Sequence, residues 1–132
     1  MLGDPAGNSL CVIPAENAYL EGCGPLGELA CDGTREVGLF WSEVLGWPLV
    51  WEQGEETAVQ SPAGGTKAAW GGPPLAPKVG RNRHRLELAA DGDLGAEVAR
   101  LHALGATSLR TVADGWVELA DPDGNELVLT GR

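Results

Sequence analysis

The chain is short of positive charge. Nine lysines and arginines face nineteen aspartates and glutamates, a formal net charge of −10. Such a surface repels a phosphate backbone, which excludes nucleic acid as a partner and leaves solubility as the use of the acidity. No apolar run approaches the roughly 20 residues that a membrane span needs. No basic segment followed by an apolar one opens the chain, so neither a membrane nor export is signalled. Cysteine is scarce too. Cys11, Cys23 and Cys31 include no metal-type doublet and are odd in number, which fits reduced thiols in the cytoplasm better than a disulfide framework. Cys11 and Cys31 alternate with apolar neighbours and read as small core residues. What remains suits one domain with a real core: 132 residues, 43% hydrophobic and 21% charged.

The chain repeats itself. Glu28-Leu29-Ala30-Cys31-Asp32-Gly33 returns as Glu87-Leu88-Ala89-Ala90-Asp91-Gly92, and Leu45-Gly46 returns as Leu104-Gly105, both at an offset of 59 residues. A turn element occurs three times, as Asp4-Pro5-Ala6-Gly7, Ser61-Pro62-Ala63-Gly64 and Asp121-Pro122-Asp123-Gly124. Residues 2–13 match 119–130 at six of twelve positions. Two units follow, 26–72 and 83–132, joined by a Pro/Gly-rich connector at 73–82. Residues 1–25 read as the remnant last strand and linker of an upstream similar domain. The alternative is a spare strand that pairs onto a sheet edge in this chain or a partner.

Each unit reads βαβββ. In the first, 27–32 alternates as a half-buried strand. Asp32 or Thr34 caps a helix whose Val37, Phe40, Trp41, Val44 and Leu45 form one apolar stripe, and Gly46 ends it. Strands follow at 48–52, 57–60 and 67–70. In the second, a strand at 83–90 leads to a helix capped by Asp91 or Asp93, with Leu94, Val98, Leu101 and His102 on one face and Gly105 at its end. Strands at 107–112, 116–120 and 126–130 complete it.

Paired βαβββ units, a helix carrying Phe40-Trp41-Ser42-Glu43-Val44-Leu45-Gly46-Trp47, and a closing Asp121-Pro122-Asp123-Gly124-Asn125-Glu126-Leu127 turn resemble the glyoxalase, bleomycin-resistance and extradiol-dioxygenase (vicinal oxygen chelate) superfamily, nearest its actinobacterial glyoxalase-like domain group. The resemblance implies an α+β fold. Its paired units form a curved mixed sheet around a cleft, with helices on the outer face. It also implies a divalent metal, held by His, Glu or Gln from the first and last strands of each unit. Carried over, those positions are Leu26, Arg85, Ala68 and Val128, and none is a ligand. A one-residue slide of the first unit's closing strand offers only Lys67 or Ala69. Arg85 repels a cation. His84 stands next to Arg85, but adjacent strand residues face opposite ways. No cofactor is therefore expected, with a divalent metal kept as the alternative.

Alternation then names the cleft residues: Glu28, Arg85 and Glu87 on the opening strands, and Trp70, Trp116 and Val128 on the others. These six are the ligand-binding candidates. Trp47 and Trp51 read as packing residues. Glu28 and Glu87 are equivalent in the repeat. Brought together they could act as a general acid and base, although the plainer reading has Arg85 and solvent neutralising them. The expected function is metal-independent binding of a small organic molecule, aromatic or cationic. Two alternatives stand. One is a metal-dependent lyase, isomerase or dioxygenase using Glu28, His84 or Glu126. The other is a non-catalytic interaction domain of a tandem protein. The expected assembly is a homodimer or a tandem-domain pair, possible through strand exchange.

Overall fold

The computed structural model describes residues 1–113 and 115–131. Each unit builds its own four-stranded mixed sheet. In the first, β3 (Glu28–Cys31), β4 (Leu49–Gln53), β5 (Glu56–Val59) and β6 (Lys67–Trp70) take the order β3-β6-β5-β4, with α1 (Arg35–Leu45) as the crossover. In the second, β7 (Leu86–Ala89), β8 (Thr107–Ala113), β9 (Trp116–Ala120) and β10 (Glu126–Thr130) take the order β7-β10-β9-β8, with α2 (Leu94–Leu104). Opening and closing strands pair in parallel and the rest antiparallel, as βαβββ requires. This is the expected α+β pair of repeats. Among the described residues no helix is long and apolar enough to cross a membrane.

Both helices cover one face of their sheets and share one core. Val37, Phe40, Trp41 and Val44 of α1 meet Val59, Ala68, Trp70, Leu101, Leu119 and Leu127. Gly38 lies where α1 crosses β5. A Cβ there would come within 1.9 Å of Thr57 Oγ1, so only glycine allows the approach. Gly46 ends α1 in the left-handed conformation at φ 63°. Asp93 caps α2 by accepting from the Ala96 N–H at 2.8 Å. Thr34 occupies the N-cap of α1 but makes no side-chain cap bond. Asp123 accepts from its N–H at 2.6 Å instead. At the other end, Arg100 donates to the carbonyls of Glu43 and Val44. Residues of the second unit thus satisfy both ends of α1, a carboxylate at its N-terminus and a guanidinium at its C-terminus.

Three expectations need correction. The strand foreseen at 83–90 runs only from Leu86 to Ala89, because β10 begins at Glu126 and offers the earlier residues no partner. Cys11 is exposed, not core: β1 (Leu2–Gly3) and β2 (Ser9–Leu10) pair only with each other. His102 is exposed and shares a 2.9 Å hydrogen bond with Ser108. The repeated turn is real in three dimensions. Asp4 accepts from the N–H groups of Ala6 and Asn8, as Asp121 accepts from those of Asp123 and Asn125.

The segment after β2 folds back over the first sheet. A 3₁₀ turn at Ala18–Leu20 sits on it, and the chain then runs beside the β5–β6 turn. Gly65 N–H donates to the Gly22 carbonyl at 2.8 Å, and the Thr66 hydroxyl to the Leu26 carbonyl at 2.9 Å.

Candidate functional site

A cavity of about 370 Å³ lies between β3, the connector and the turn before β10. Leu29, Ala30, Cys31 and Asp32 line it in succession. A strand presents consecutive residues only along its edge, and β3 pairs with β6 alone, so its open backbone edge faces the cavity. Trp41 and Trp70 border it, stacked at 6.3 Å between ring centroids with 9° between planes. From the connector come Lys78 and Asn82, and from the stretch before β7 come Arg83, His84 and Arg85.

The carboxylates here already have partners. Lys78 Nζ donates to both Glu126 oxygens at 3.0 Å and the Asn82 N–H adds a third bond. Burial pushes the Glu126 carboxyl up, but these donors outweigh it and hold the group below its usual value. Asp121 accepts from the Trp41 indole N–H at 3.3 Å as well as from its own turn, yet burial prevails and raises its pKa. Asp32 accepts from the Ala76 N–H at 2.8 Å. Arg83 and His84 make no hydrogen bond or ion pair among the described residues, and Arg83 acts only at longer range on Asp4. Burial pushes the Cys31 thiol up to about 11, so at neutral pH it is a protonated apolar group and not a nucleophile.

The faces turned away from the helices differ between units. In the second, Glu118 is 1% exposed and accepts from Arg81 and Arg110, with Arg85 at 4.0 Å. The Arg81 and Arg110 guanidinium groups pull its pKa down to about 2. Arg85 also binds Glu87 at 2.9 Å. In the first, an open groove of about 960 Å³ runs over the sheet beneath the 3₁₀ turn. Its walls include Glu28, Lys67, Trp51 and Tyr19, and Ala30 and Ala69 lie on its floor.

The structure divides the sequence-derived candidates. Trp70 and Arg85 line the cavity, Glu28 lines the groove, and Glu87 stands 60% exposed beside Arg85. Glu28 and Glu87 share neither space. Val128 is buried opposite Glu87 and Glu118, and Trp116 is half-buried at the end of β9. Trp70 is on the helix side, not the cleft side: it pairs with Cys31, packs on Trp41 and is 2% exposed. Alternation missed Trp51. A bulge between Leu49 and Trp51 pairs Trp51 with Ala58 and turns it to the face away from α1. Tyr19 and Lys78 are not legible because the segments carrying them have no periodic pattern, and Arg83 reads only as the start of the strand at 83–90.

The residues do not fit the metal that the fold implies. Glu28 pairs with Lys67, and Glu87 with Val128, so the equivalent closing positions are Lys67 and Val128, not Ala68 and Val128. With Leu26 and Arg85 that makes two cations and two aliphatic groups. Glu28 lines the groove whereas His84 and Glu126 line the cavity. Among the described residues no group of three or more His, Cys, Asp or Glu side chains could hold a metal ion.

A family model described as "Glyoxalase-like domain" matches residues 28–130. Solved structures share the fold. A glyoxalase-related enzyme from Fulvimarina pelagi is 18% identical, with a TM-score of 0.62 over 81% of this chain and 87% of its own. A glyoxalase/bleomycin resistance protein/dioxygenase family enzyme from Burkholderia phytofirmans is 12% identical, with a TM-score of 0.61 over 79% and 94%. An antibiotic binding protein from a Streptomyces species is 22% identical, with a TM-score of 0.55 over 82% and 95%. No curated protein sequence matches.

Proposed function

Because the chain belongs to the glyoxalase-like domain family, we propose that it binds a small planar aromatic molecule bearing an anionic group, without a metal ion. The cavity carries this reading. It joins an open strand edge, two tryptophans and a rim on which, among the described residues, Arg83 has no hydrogen-bond or ion-pair partner while every carboxylate has a hydrogen-bond donor. That combination suits a flat ring with a hydrogen-bonding edge and a carboxylate directed to Arg83. Local charge overrides the net charge of −10, which pointed to a cationic ligand. The antibiotic binding neighbour supports small-molecule binding as a use of the fold, not the identity of the ligand.

The test is calorimetric titration in the presence of EDTA, with 2-naphthoate and 2-naphthylmethylammonium as probes. Saturable binding of the naphthoate alone is expected. It should be lost on filling the cavity by Ala76→Trp and weakened on Arg83→Ala. Binding that survives Ala76→Trp, that prefers the ammonium probe, or that appears only after zinc, nickel, manganese or iron is added overturns the proposal.

A further inference from the structure

The first sheet's groove has its own chemistry. On the face away from α1, Ala30 pairs with Ala69 and Ala69 with Ala58, a row of three alanines across β3, β6 and β5. The methyl groups of Ala30 and Ala69 leave a flat floor with room above it, while Ala58 is fully buried. Trp51, opposite Ala58, closes the row at one end. One step along lies the pair Glu28 and Lys67. Lys67 is 6% exposed, yet among the described residues no carboxylate binds it. Its ammonium donates to the Tyr19 carbonyl and stands 4.3 Å from the centre of the Tyr19 ring. A buried ammonium with so little hydrogen bonding is costly unless something supplies a partner.

Tyr19 supplies it, and its contacts describe a ligand. The ring face meets the Lys67 ammonium. The ring edge meets Trp51 at 5.9 Å and 87°. The phenol is desolvated and faces the Glu28 carboxylate, and both effects hold it protonated as a donor. The Lys67 hydrogen bond belongs to the Tyr19 peptide carbonyl, whereas the contacts of the ring with Lys67 and Trp51 belong to the phenol and need nothing of the peptide that carries it. The backbone of this segment is anchored at the Tyr19 carbonyl and, further along, at Gly22 and Leu26. The Tyr19 side chain can therefore leave the groove by rotation while its own carbonyl and those anchors hold the backbone.

We infer that this groove is a second binding site, for a phenolic aryl ligand, and that Tyr19 is its resident competitor. A free phenol takes the ring contacts with Lys67 and Trp51 and the place facing Glu28 when the Tyr19 side chain swings away. The groove adjoins the cavity at Ala30, Cys31 and Trp70, which line both, but Lys67, Trp51, Glu28 and Tyr19 line the groove alone.

The experiment titrates the full chain with 4-methylphenol, the tyrosine side chain itself, by calorimetry and by thermal unfolding. Removing an internal competitor raises apparent affinity by the inverse of the fraction of time the site is free, so Tyr19→Ala should bind at least about ten-fold more tightly than the wild type. The added phenol should also restore the lost thermal stability. Lys67→Met placed on Tyr19→Ala should reverse the gain, and toluene should bind more weakly than 4-methylphenol. If Tyr19→Ala does not fold, Tyr19→Leu carries the same comparison. Equal affinity in wild type and variant, or no saturable binding in the variant, overturns the inference. Ala76→Trp fills the connector cavity only, so its effect on naphthoate binding is read independently.

Discussion

Across β3, β6 and β5 the face away from the helices carries Ala30, Ala69 and Ala58, while the same row across β7, β10 and β9 carries Ala89, Thr130 and Trp116. One step along, Glu28 and Lys67 in the first unit answer to Glu87, Val128 and Glu118 in the second. The backbone is duplicated, but these faces are not. The first unit keeps small side chains and one buried ammonium, leaving a groove that Tyr19 enters. The second fills its face with Glu118 and three arginines. Duplication of a fold copies strand positions, and later substitution decides which copy keeps open space. The helices are unequal too. Five residues of α1 are buried and only Leu101 of α2.

The largest expected effect tests that inequality. Trp41 of α1 is 3% exposed, stacks on Trp70 and donates to Asp121, so Trp41→Ala should cost about 3–5 kcal/mol in denaturant unfolding. Val98→Ala on the half-buried face of α2 should cost about 1 kcal/mol. Equal losses would mean that both helices carry the core alike.

The second test uses acid. Glu118 is held at about 2 in the folded chain, against an ordinary value of 4.5. A group with a depressed folded pKa contributes stability that is complete above its unfolded value and is lost as pH falls through its folded one. Stability should therefore decline between about pH 4.5 and 2. Glu118→Gln should flatten that decline. An unchanged acid limb in Glu118→Gln would remove the ion cluster from the comparison.

The repeat, the helices and nearly all strand positions were legible in the sequence because periodicity and caps are local signals. Face assignments were less so. A bulge beside Val50 reversed Trp51, and one residue of register moved the closing position from Ala68 to Lys67. Both depend on how strands pair, which alternation along one strand does not encode. Trp70 was misplaced for the same reason. Tyr19 stands in a segment whose position is set by tertiary contacts alone, and Arg83 in a stretch that reads as strand but lies before the paired residues of β7. The end caps of α1 show the same limit: Thr34 looks like a sufficient N-cap, but the carboxylate that serves it is 89 residues away.

That distant cap supplies the third test. Asp123→Ala leaves the Thr34 N–H without its acceptor at the N-terminus of α1 and should cost about 1 kcal/mol, the usual range for a lost cap. Asp93→Ala removes a cap made within the second unit and should cost about the same. The difference lies in coupling. Asp123→Ala should be non-additive with Trp41→Ala, because both loosen the contact between α1 and the turn before β10, whereas Asp93→Ala should add to it. A double-mutant cycle with no coupling at Asp123 would show that the units are joined by their core and not by this turn.

The smallest effect concerns one hydroxyl. Thr57 Oγ1 is buried under α1 with no hydrogen-bond partner, at the place where Gly38 allows the helix to approach. The strand β9 of the second unit presents Val117 and Leu119 to its helix side, with no polar atom in their side chains. Thr57→Val keeps the branched shape and replaces the orphan hydroxyl by a methyl group. Removing a buried polar group that makes no bond relieves its desolvation cost, so the variant should be neutral or more stable by up to about 1 kcal/mol. Thr57→Ala should be less stable than Thr57→Val, because it opens a void under Gly38. A loss of stability in Thr57→Val would mean that the hydroxyl has a partner in solution and that the first unit's helix contact is polar where the second's is not.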